Sequence, residues 1–342
     1  MSLLKPRFRT SALTGKGDFR KALGNWFLEN GKDYPWRRTR EPYAILVSEM
    51  MLQQTRIATV LGRGFYTRFL EKFPDVESLA AAGDEELLKA WEGLGYYRRA
   101  RMLRDTAGAV LERHGGKFPD DEAGLMGLPG IGPYTCAALL AFAFGKPSAL
   151  VDGNVSRVFS RLMDDPEPIG STATIRRHRA WAAELCDPEN PARHHQAMME
   201  LGQTHCRTGV PDCLSCPVSA FCKTRSPHDL PVKKSRTEIT ATTEHAIWCR
   251  DGSGRVLLHH ESGSRRTGLW KLPLRTAEQC SGLRKISDSI YHITRYKVTL
   301  NIHRSEPNGI GPGDEWVDIA RLDTLPIAAP FRKAVERLLA DF

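Results

Sequence analysis

Long apolar runs are missing from this chain of 342 residues. The longest, Ala137 to Phe144, falls far short of the ~20 residues a membrane helix needs. Met1 to Arg20 is basic but lacks the apolar segment of a secretion signal. The expectation is therefore a soluble, intracellular protein. A disulfide framework is also missing. Cys136, Cys186, Cys249 and Cys280 are scattered and read as small buried hydrophobes, which points to a reducing compartment. There is no internal repeat and no low-complexity tract. Nor is negative charge in surplus: 49 Lys and Arg stand against 40 Asp and Glu, a net charge of +9. Such a surface favours a polyanion, and nucleic acid is the commonest one. A merely basic soluble enzyme is the plainer alternative. The length is enough for two domains with real cores, and the 41% hydrophobic content is ordinary.

The other four cysteines are concentrated. Cys206, Cys213, Cys216 and Cys222 form a C-x6-C-x2-C-x5-C run broken by Pro211 and Pro217, so the segment is a loop. Thiolates are soft ligands that select iron–sulfur clusters or zinc. Structural zinc more often takes two short C-x2-C pairs, and only Cys213 and Cys216 make one here. The spacing favours a single 4Fe–4S cluster, with zinc as the alternative.

The chain has a visible seam. From about Asp18 to Arg179 the apolar spacing is mostly helical, with helical segments at Pro42–Leu61, Asp84–Trp91 and Arg98–His114. Phe73-Pro74-Asp75, Gly115-Gly116 and Phe118-Pro119-Asp120 mark loops. Thr224 to Glu238, with Pro227, Pro231, Lys233, Lys234 and Arg236, reads as a linker. Beyond it the period shortens to that of strands at Ala246–Cys249, Val256–His260 and Lys297–His303, and a last helix covers Pro330–Leu339. The expectation is an all-α domain over 1–225, a linker over 226–238 and a smaller α+β domain over 239–342.

Leu128-Pro129-Gly130-Ile131-Gly132-Pro133-Tyr134 joins a helical stretch at Asp121–Met126 to an apolar helix at Pro133–Phe144. The glycines allow positive φ and bring backbone N–H groups near a ligand. Pro133 suits the first helical position, and the helix N-terminus is then a phosphate site. This is a helix–hairpin–helix arrangement for gripping a DNA backbone without reading bases. On its own, Gly-x-Gly is usually just a turn.

Together these features resemble the helix–hairpin–helix DNA glycosylases, and more closely the adenine DNA glycosylases of the MutY family. The matching stretches are Tyr34–Arg37, Ser48–Thr55, Gly93–Tyr97, Leu150–Val155, Gln196–Gly202 and the four cysteines, which span nearly the whole chain. The resemblance implies a monofunctional enzyme of base excision repair. It would hydrolyse the N-glycosidic bond of adenine mispaired with 8-oxoguanine or guanine in duplex DNA. It further implies a cytoplasmic, nucleoid-associated bacterial monomer with one 4Fe–4S cluster, and a second domain of Nudix-like fold that helps read the oxidised guanine.

Glycosidic cleavage needs an acid at the leaving base and an anion near the sugar cation. Glu49, among Val47, Met50, Met51 and Leu52, is the candidate acid. Without the family match it reads as a solvated helix glutamate. Asp152 is the candidate anion, and also a plausible helix N-cap. Asn154 is placed to orient Asp152 or the sugar-side water. Tyr134 occupies the position where lyase relatives carry a nucleophilic lysine, and a phenol cannot form an imine. By resemblance Trp36, Arg37, Leu52 and Gln196 line the adenine pocket, although Trp36 and Leu52 read equally as core. Gln54 and Tyr96 wedge into the gap and stack near the orphan base, while Leu128, Gly130 and Gly132 grip the backbone. Arg207, Lys223 and Arg225 are placed to reach phosphates.

The second domain carries Gly268-Leu269-Trp270-Lys271-Leu272-Pro273 but no glutamate-rich magnesium box of the Nudix type. It should bind rather than hydrolyse. At His292-Ile293-Thr294-Arg295-Tyr296-Lys297 the family's usual Phe-Ser-His loop is absent, which leaves Thr294, Arg295 and Tyr296 as candidate lesion contacts. Two other functions fit the same first domain: a pyrimidine-lesion glycosylase–lyase, and a non-catalytic cluster-bearing DNA-binding protein.

Overall fold

The computed structural model describes residues 13–233, 238–263, 266–307 and 310–341. The start of the chain through residue 12, and Lys234 and Arg236 of the expected linker, lie outside the described residues. In chain order the helices are α1 (Lys16–Asn30), α2 (Pro42–Leu52), α3 (Ile57–Gly62), α4 (Phe65–Lys72), α5 (Val76–Ala80), α6 (Asp84–Ala90), α7 (Arg98–His114), α8 (Glu122–Met126), α9 (Pro133–Phe142), α10 (Gly153–Leu162), α11 (Thr172–Leu185) and α12 (Pro191–Thr204). Then come β1 (Thr240–Trp248), β2 (Val256–His260), β3 (Trp270–Lys271), β4 (Leu274–Arg275), β5 (Lys285–Ile293), β6 (Tyr296–Arg304), β7 (Asp314–Val317) and α13 (Ala329–Asp341).

Two compact units form, and they do not follow the order of the chain. One joins residues 13–49 to 117–233, and the other joins 50–116 to 238–341. The first unit is helical. Phe19 and Leu23 of α1 pack with Val155, Val158 and Phe159 of α10, Trp181 and Leu185 of α11, and Met198 and Leu201 of α12. These apolar residues recur at helical spacing, so each helix buries one stripe. The expected linker is tied to this unit as far as Val232. Arg161 Nε donates to the Leu230 carbonyl at 2.9 Å, and Ile169 N–H donates to the Val232 carbonyl at 2.9 Å.

The second unit combines α3–α7 with the β-rich region. One sheet has the order β4-β1-β6-β5, with β1 and β6 parallel and the other pairs antiparallel. The other has the order β3-β2-β7 and is antiparallel. Ala246, Trp248, Leu258, Leu300 and Ile302 face Phe331, Val335 and Leu338 of α13 in one core. Leu88 of α6 belongs to that same core, with Tyr97 packed against it. Arg332 of α13 pairs with Glu92 at 2.9 Å, and Arg101 of α7 donates to both Asp84 and the Thr267 carbonyl. The C-terminal region is thus mixed α/β, and its hydrophobic interior is completed by residues from α6.

One expectation is corrected. Pro42–Leu61 is not one helical run: α2 stops at Leu52, the chain turns through Gln53–Arg56 with Gln54 at φ 56°, and α3 starts at Ile57.

Candidate active site

Helix α2 carries Ser48, Glu49, Met50 and Met51 inward, and all four are buried. Glu49 is 4% exposed, so it is not the solvated glutamate that its residue type suggests. Burial pushes its carboxyl up to about 7. A hydrogen bond with Tyr134 opposes that rise, and the charge of Asp152 adds to it. Tyr134 stands on the first turn of α9, where Pro133 opens the helix. Its phenol is held well above the ordinary range by burial and by the two carboxylates. A carboxyl that titrates near neutrality is suited to donate a proton at physiological pH.

Asp152 caps α10. Its Oδ1 accepts from Val155 N–H at 2.7 Å, and Asn154 Nδ2 donates to its Oδ2 at 2.9 Å. Burial raises its carboxyl above the usual range, and these hydrogen bonds oppose the rise. The helix cap and the candidate anion are thus the same residue. Arg157, one turn on, donates from Nη2 to Asn154 Oδ1 at 2.9 Å and to the Gly202 carbonyl at 2.6 Å. Its Nε donates to the Cys206 carbonyl at 2.7 Å. A chain of hydrogen bonds therefore runs from Asp152 through Asn154 and Arg157 to the first loop cysteine. Gly202 makes this possible: a Cβ there would meet Asn154 Cβ at 2.8 Å.

The four loop thiols lie near one another. Burial, with Cys206, Cys222 and Cys213 adding to it, pushes the Cys216 thiol up to about 11. Four thiolates need a cationic centre to coexist in such surroundings. Among the described residues, no three of these sulfurs come within 4.8 Å of one another. Four sulfurs on one zinc ion lie roughly 3.8 Å apart, given Zn–S bonds of about 2.3 Å. Four thiols on one short loop suit a soft-metal centre, iron–sulfur or zinc. Arg161 Nη1 lies 3.4 Å from Cys206 Sγ and 2.8 Å from the Arg207 carbonyl, which adds positive charge beside the loop. Lys223 and Arg225 line an open cleft with Cys222, Leu13 and Gly15.

Trp36 is buried and stacks on Tyr34 with ring centroids 5.3 Å apart. Arg37 pairs with the buried Glu200 at 2.5 Å and lies over the rings of Phe27 and Tyr34. Glu200 is four residues beyond Gln196 on α12, hence on the same helix face. So the first unit brings Trp36, Arg37 and α12 together, whereas Leu52, half-buried at the end of α2, belongs to the second unit. In the hairpin, Leu128 is buried, Gly130 has φ 78°, and Gly132 begins α9 without a side-chain cap, which leaves first-turn N–H groups to a ligand.

The second unit holds Gln54 and Tyr96. Both are exposed, and Tyr96 is 53% so. Both have positive φ, at 56° and 49°. Between them sits Arg99, which sequence reasoning missed. It is 7% exposed, and its Nη1 donates to the carbonyls of Met50, Met51 and Gln53. Its Nη2 donates to Thr55 Oγ1 and to the carbonyls of Leu94 and Gly95. One guanidinium thus closes the end of α2 and holds both turns. Arg157, Glu200 and Gly202 were also missed as functional candidates. The only sequence signal for the arginines was their position among apolar helix neighbours.

Thr294 and Arg295 form the exposed two-residue link between β5 and β6, with Thr294 at φ 51°. Arg295 donates to Tyr296 Oη at 3.2 Å and lies over that ring.

Residues 47–180 match the model of the HhH-GPD superfamily base excision DNA repair proteins. The chain is 41% identical to the adenine DNA glycosylase of Homo sapiens over 60% of this chain and 39% of that protein. It is 33% identical to that of Arabidopsis thaliana over 84% of this chain and 53% of that protein. The figure is 30% for Buchnera aphidicola, over 74% of this chain and 71% of that protein. The chain spans about two fifths of the human relative and half of the plant one. Among solved structures, a thermostable thymine-DNA glycosylase aligns with TM-score 0.55 and 28% identity over 61% of this chain and 95% of that one. A trapped endonuclease III–DNA covalent intermediate aligns with TM-score 0.51 and 26% identity over the same shares. The buried Glu49, the capping Asp152, the hairpin and the four-cysteine loop thus lie on a known glycosylase framework, and the chain belongs to the adenine DNA glycosylase family.

Proposed function

We propose that this protein is a monofunctional adenine DNA glycosylase that removes adenine mispaired with 8-oxoguanine or guanine from duplex DNA. The observation that carries the reading is Glu49: a buried carboxyl titrating near 7, hydrogen-bonded to Tyr134 and facing the charge of Asp152. Backbone N–H groups of the 128–132 hairpin and the basic surface hold phosphates. Gln54 and Tyr96 enter the space vacated when adenine leaves the stack. Glu49 protonates the adenine ring, with Tyr134 fixing its orientation. Asp152, held by Val155 N–H and Asn154, stabilises the sugar cation. The N-glycosidic bond breaks, free adenine departs, and water adds to the sugar carbon with its proton restoring the Glu49 carboxyl. Trp36, Arg37 and Gln196 of the first unit line the adenine pocket.

Cys206, Cys213, Cys216 and Cys222 hold one 4Fe–4S cluster, which supplies a rigid cationic core for the basic loop. The mixed α/β region is a Nudix-like binding module in which Thr294, Arg295 and Tyr296 contact the oxidised guanine. The protein acts as a monomer in the cytoplasm, at the nucleoid.

Single-turnover excision on an A:8-oxoguanine duplex tests the reading. Glu49→Gln and Asp152→Asn should each lose excision by about a thousandfold or more, while duplex affinity holds, because the carboxylates act on the transition state. Normal excision by Asp152→Asn would sink the assignment. Borohydride should trap no covalent adduct, since Tyr134 offers no amine. A trapped adduct would move the protein to the lyase relatives.

A further inference from the structure

The second unit holds a cluster of metal-ligand side chains that adenine excision does not use. His245 lies in β1, His303 in β6, and Cys280 in the turn after β4. In the parallel β1–β6 register His303 pairs with Ile247, two residues from His245, so both imidazoles fall on one face of the sheet. One ligand atom from each of the three residues lies within 4.8 Å of the others. His245 Nδ1 and His303 Nε2 are 3.1 Å apart. Two nitrogens bound to one tetrahedral zinc at 2.0–2.1 Å lie roughly 3.3 Å apart.

The surroundings suit a bound cation. His303 Nδ1 faces the Leu283 carbonyl at 3.5 Å, which turns the Nε2 lone pair toward the cluster. Metal-bound imidazoles are commonly oriented in this way. Cys280 is buried among Ile247, Cys249, Leu257, Leu283 and Trp316, an apolar shell. His245 is only half-buried, so solvent reaches one side. A hydrogen bond between two neutral imidazoles accounts for the 3.1 Å separation, but not for a thiol within reach of both.

We propose that His245, Cys280 and His303 form a zinc(II) site, separate from the four-cysteine loop, with a fourth position open to water. Two imidazoles and a thiolate favour zinc over hard cations such as magnesium. The ion would pin the turn at residues 276–283 to the parallel β1–β6 pair.

The test uses the full-length, iron-loaded protein, equilibrated with zinc sulfate and freed of excess. Zinc and iron per chain are measured, with zinc-edge X-ray absorption to identify the bonded atoms. The expected result is about one zinc per chain beyond the iron, bonded to nitrogen and sulfur at roughly two to one. Cys280→Ser and His245→Gln should each weaken zinc binding by about tenfold or more, with iron unchanged. Zinc should also raise the thermal midpoint of the wild type but of neither variant. Wild-type protein without zinc, zinc held equally by both variants, or an all-sulfur shell marking the loop as its home would each overturn the proposal. If the variants lose cooperative unfolding, the wild-type stoichiometry and bonded atoms alone decide.

Discussion

Gln54 and Tyr96 on one side, and Thr294 on the other, share an uncommon backbone with φ between 49° and 56°. Positive φ is costly for residues with a Cβ, most of all for a β-branched one. The first two sit in turns that Arg99 grips through six acceptors. The third sits on a hairpin tip whose arginine donates to its neighbour Tyr296, and whose Arg295 carbonyl accepts from Thr240 N–H at 2.9 Å. Strain persists where surroundings over-determine it. The turns that would enter the DNA stack are therefore fixed by one buried guanidinium, while the tip that would meet the lesion is held by its flanking strand pairs.

The sharpest way to break that comparison is Arg99→Met. It leaves buried carbonyls without donors, and the loss should be about 3–5 kcal/mol in urea unfolding. Arg99→Lys should recover only part of it, because an ammonium cannot span both turns. A loss below about 1 kcal/mol would mean that the turns hold themselves.

The buried acid on α2 gives the next largest effect. Its raised carboxyl means that folding favours the protonated form. Relative to Glu49→Gln, the wild type keeps its stability below about pH 4.5 and loses it as pH rises through about 7. The difference at pH 8 should approach about 3 kcal/mol. Excision should fall over the same upper range. Parallel stability curves for the two proteins would show that Glu49 is not buried as an acid.

Arg157→Gln should slow single-turnover excision about 10–100-fold, because a small displacement of Asp152 is enough. Its iron content and duplex affinity should change less. Unaltered excision would show that Asp152 is positioned by its cap bonds alone.

The smallest effect belongs to the tip. Thr294→Gly should raise stability by about 1 kcal/mol or less, since glycine takes positive φ without strain. Alanine at both Arg295 and Tyr296 should shrink the preference for A:8-oxoguanine over A:G by about tenfold. Point changes are the right probe, because cutting the chain after residue 238 would strip the core around Leu88.

Much of this was legible in the sequence. Arg98–His114 and Val256–His260 match α7 and β2 residue for residue, because strong periodicity met clear stop signals. The break at Gln53–Arg56 was not legible: no glycine or proline marks it, and the residue that closes the helix stands more than forty positions away. β5 was missed because Ser287, Asp288 and Ser289 dilute its alternation, and Ile290 points outward. Glu49 and Asp152 were identified by their motif, but the burial of Glu49 required the fold. Arg99 and Arg157 were not singled out, because only contacts from distant segments give a helix arginine such a role.

The sharing of one core between Leu88 and Phe331 has a consequence for synthesis. The 243 positions that separate them take on the order of 10–50 s to translate at roughly 5–20 residues per second. Throughout that interval the nascent α6 displays an apolar face whose partners do not yet exist. The second unit cannot complete this core before α13 leaves the ribosome, so the chain has a long window in which chaperones, or other nascent chains, compete for that face.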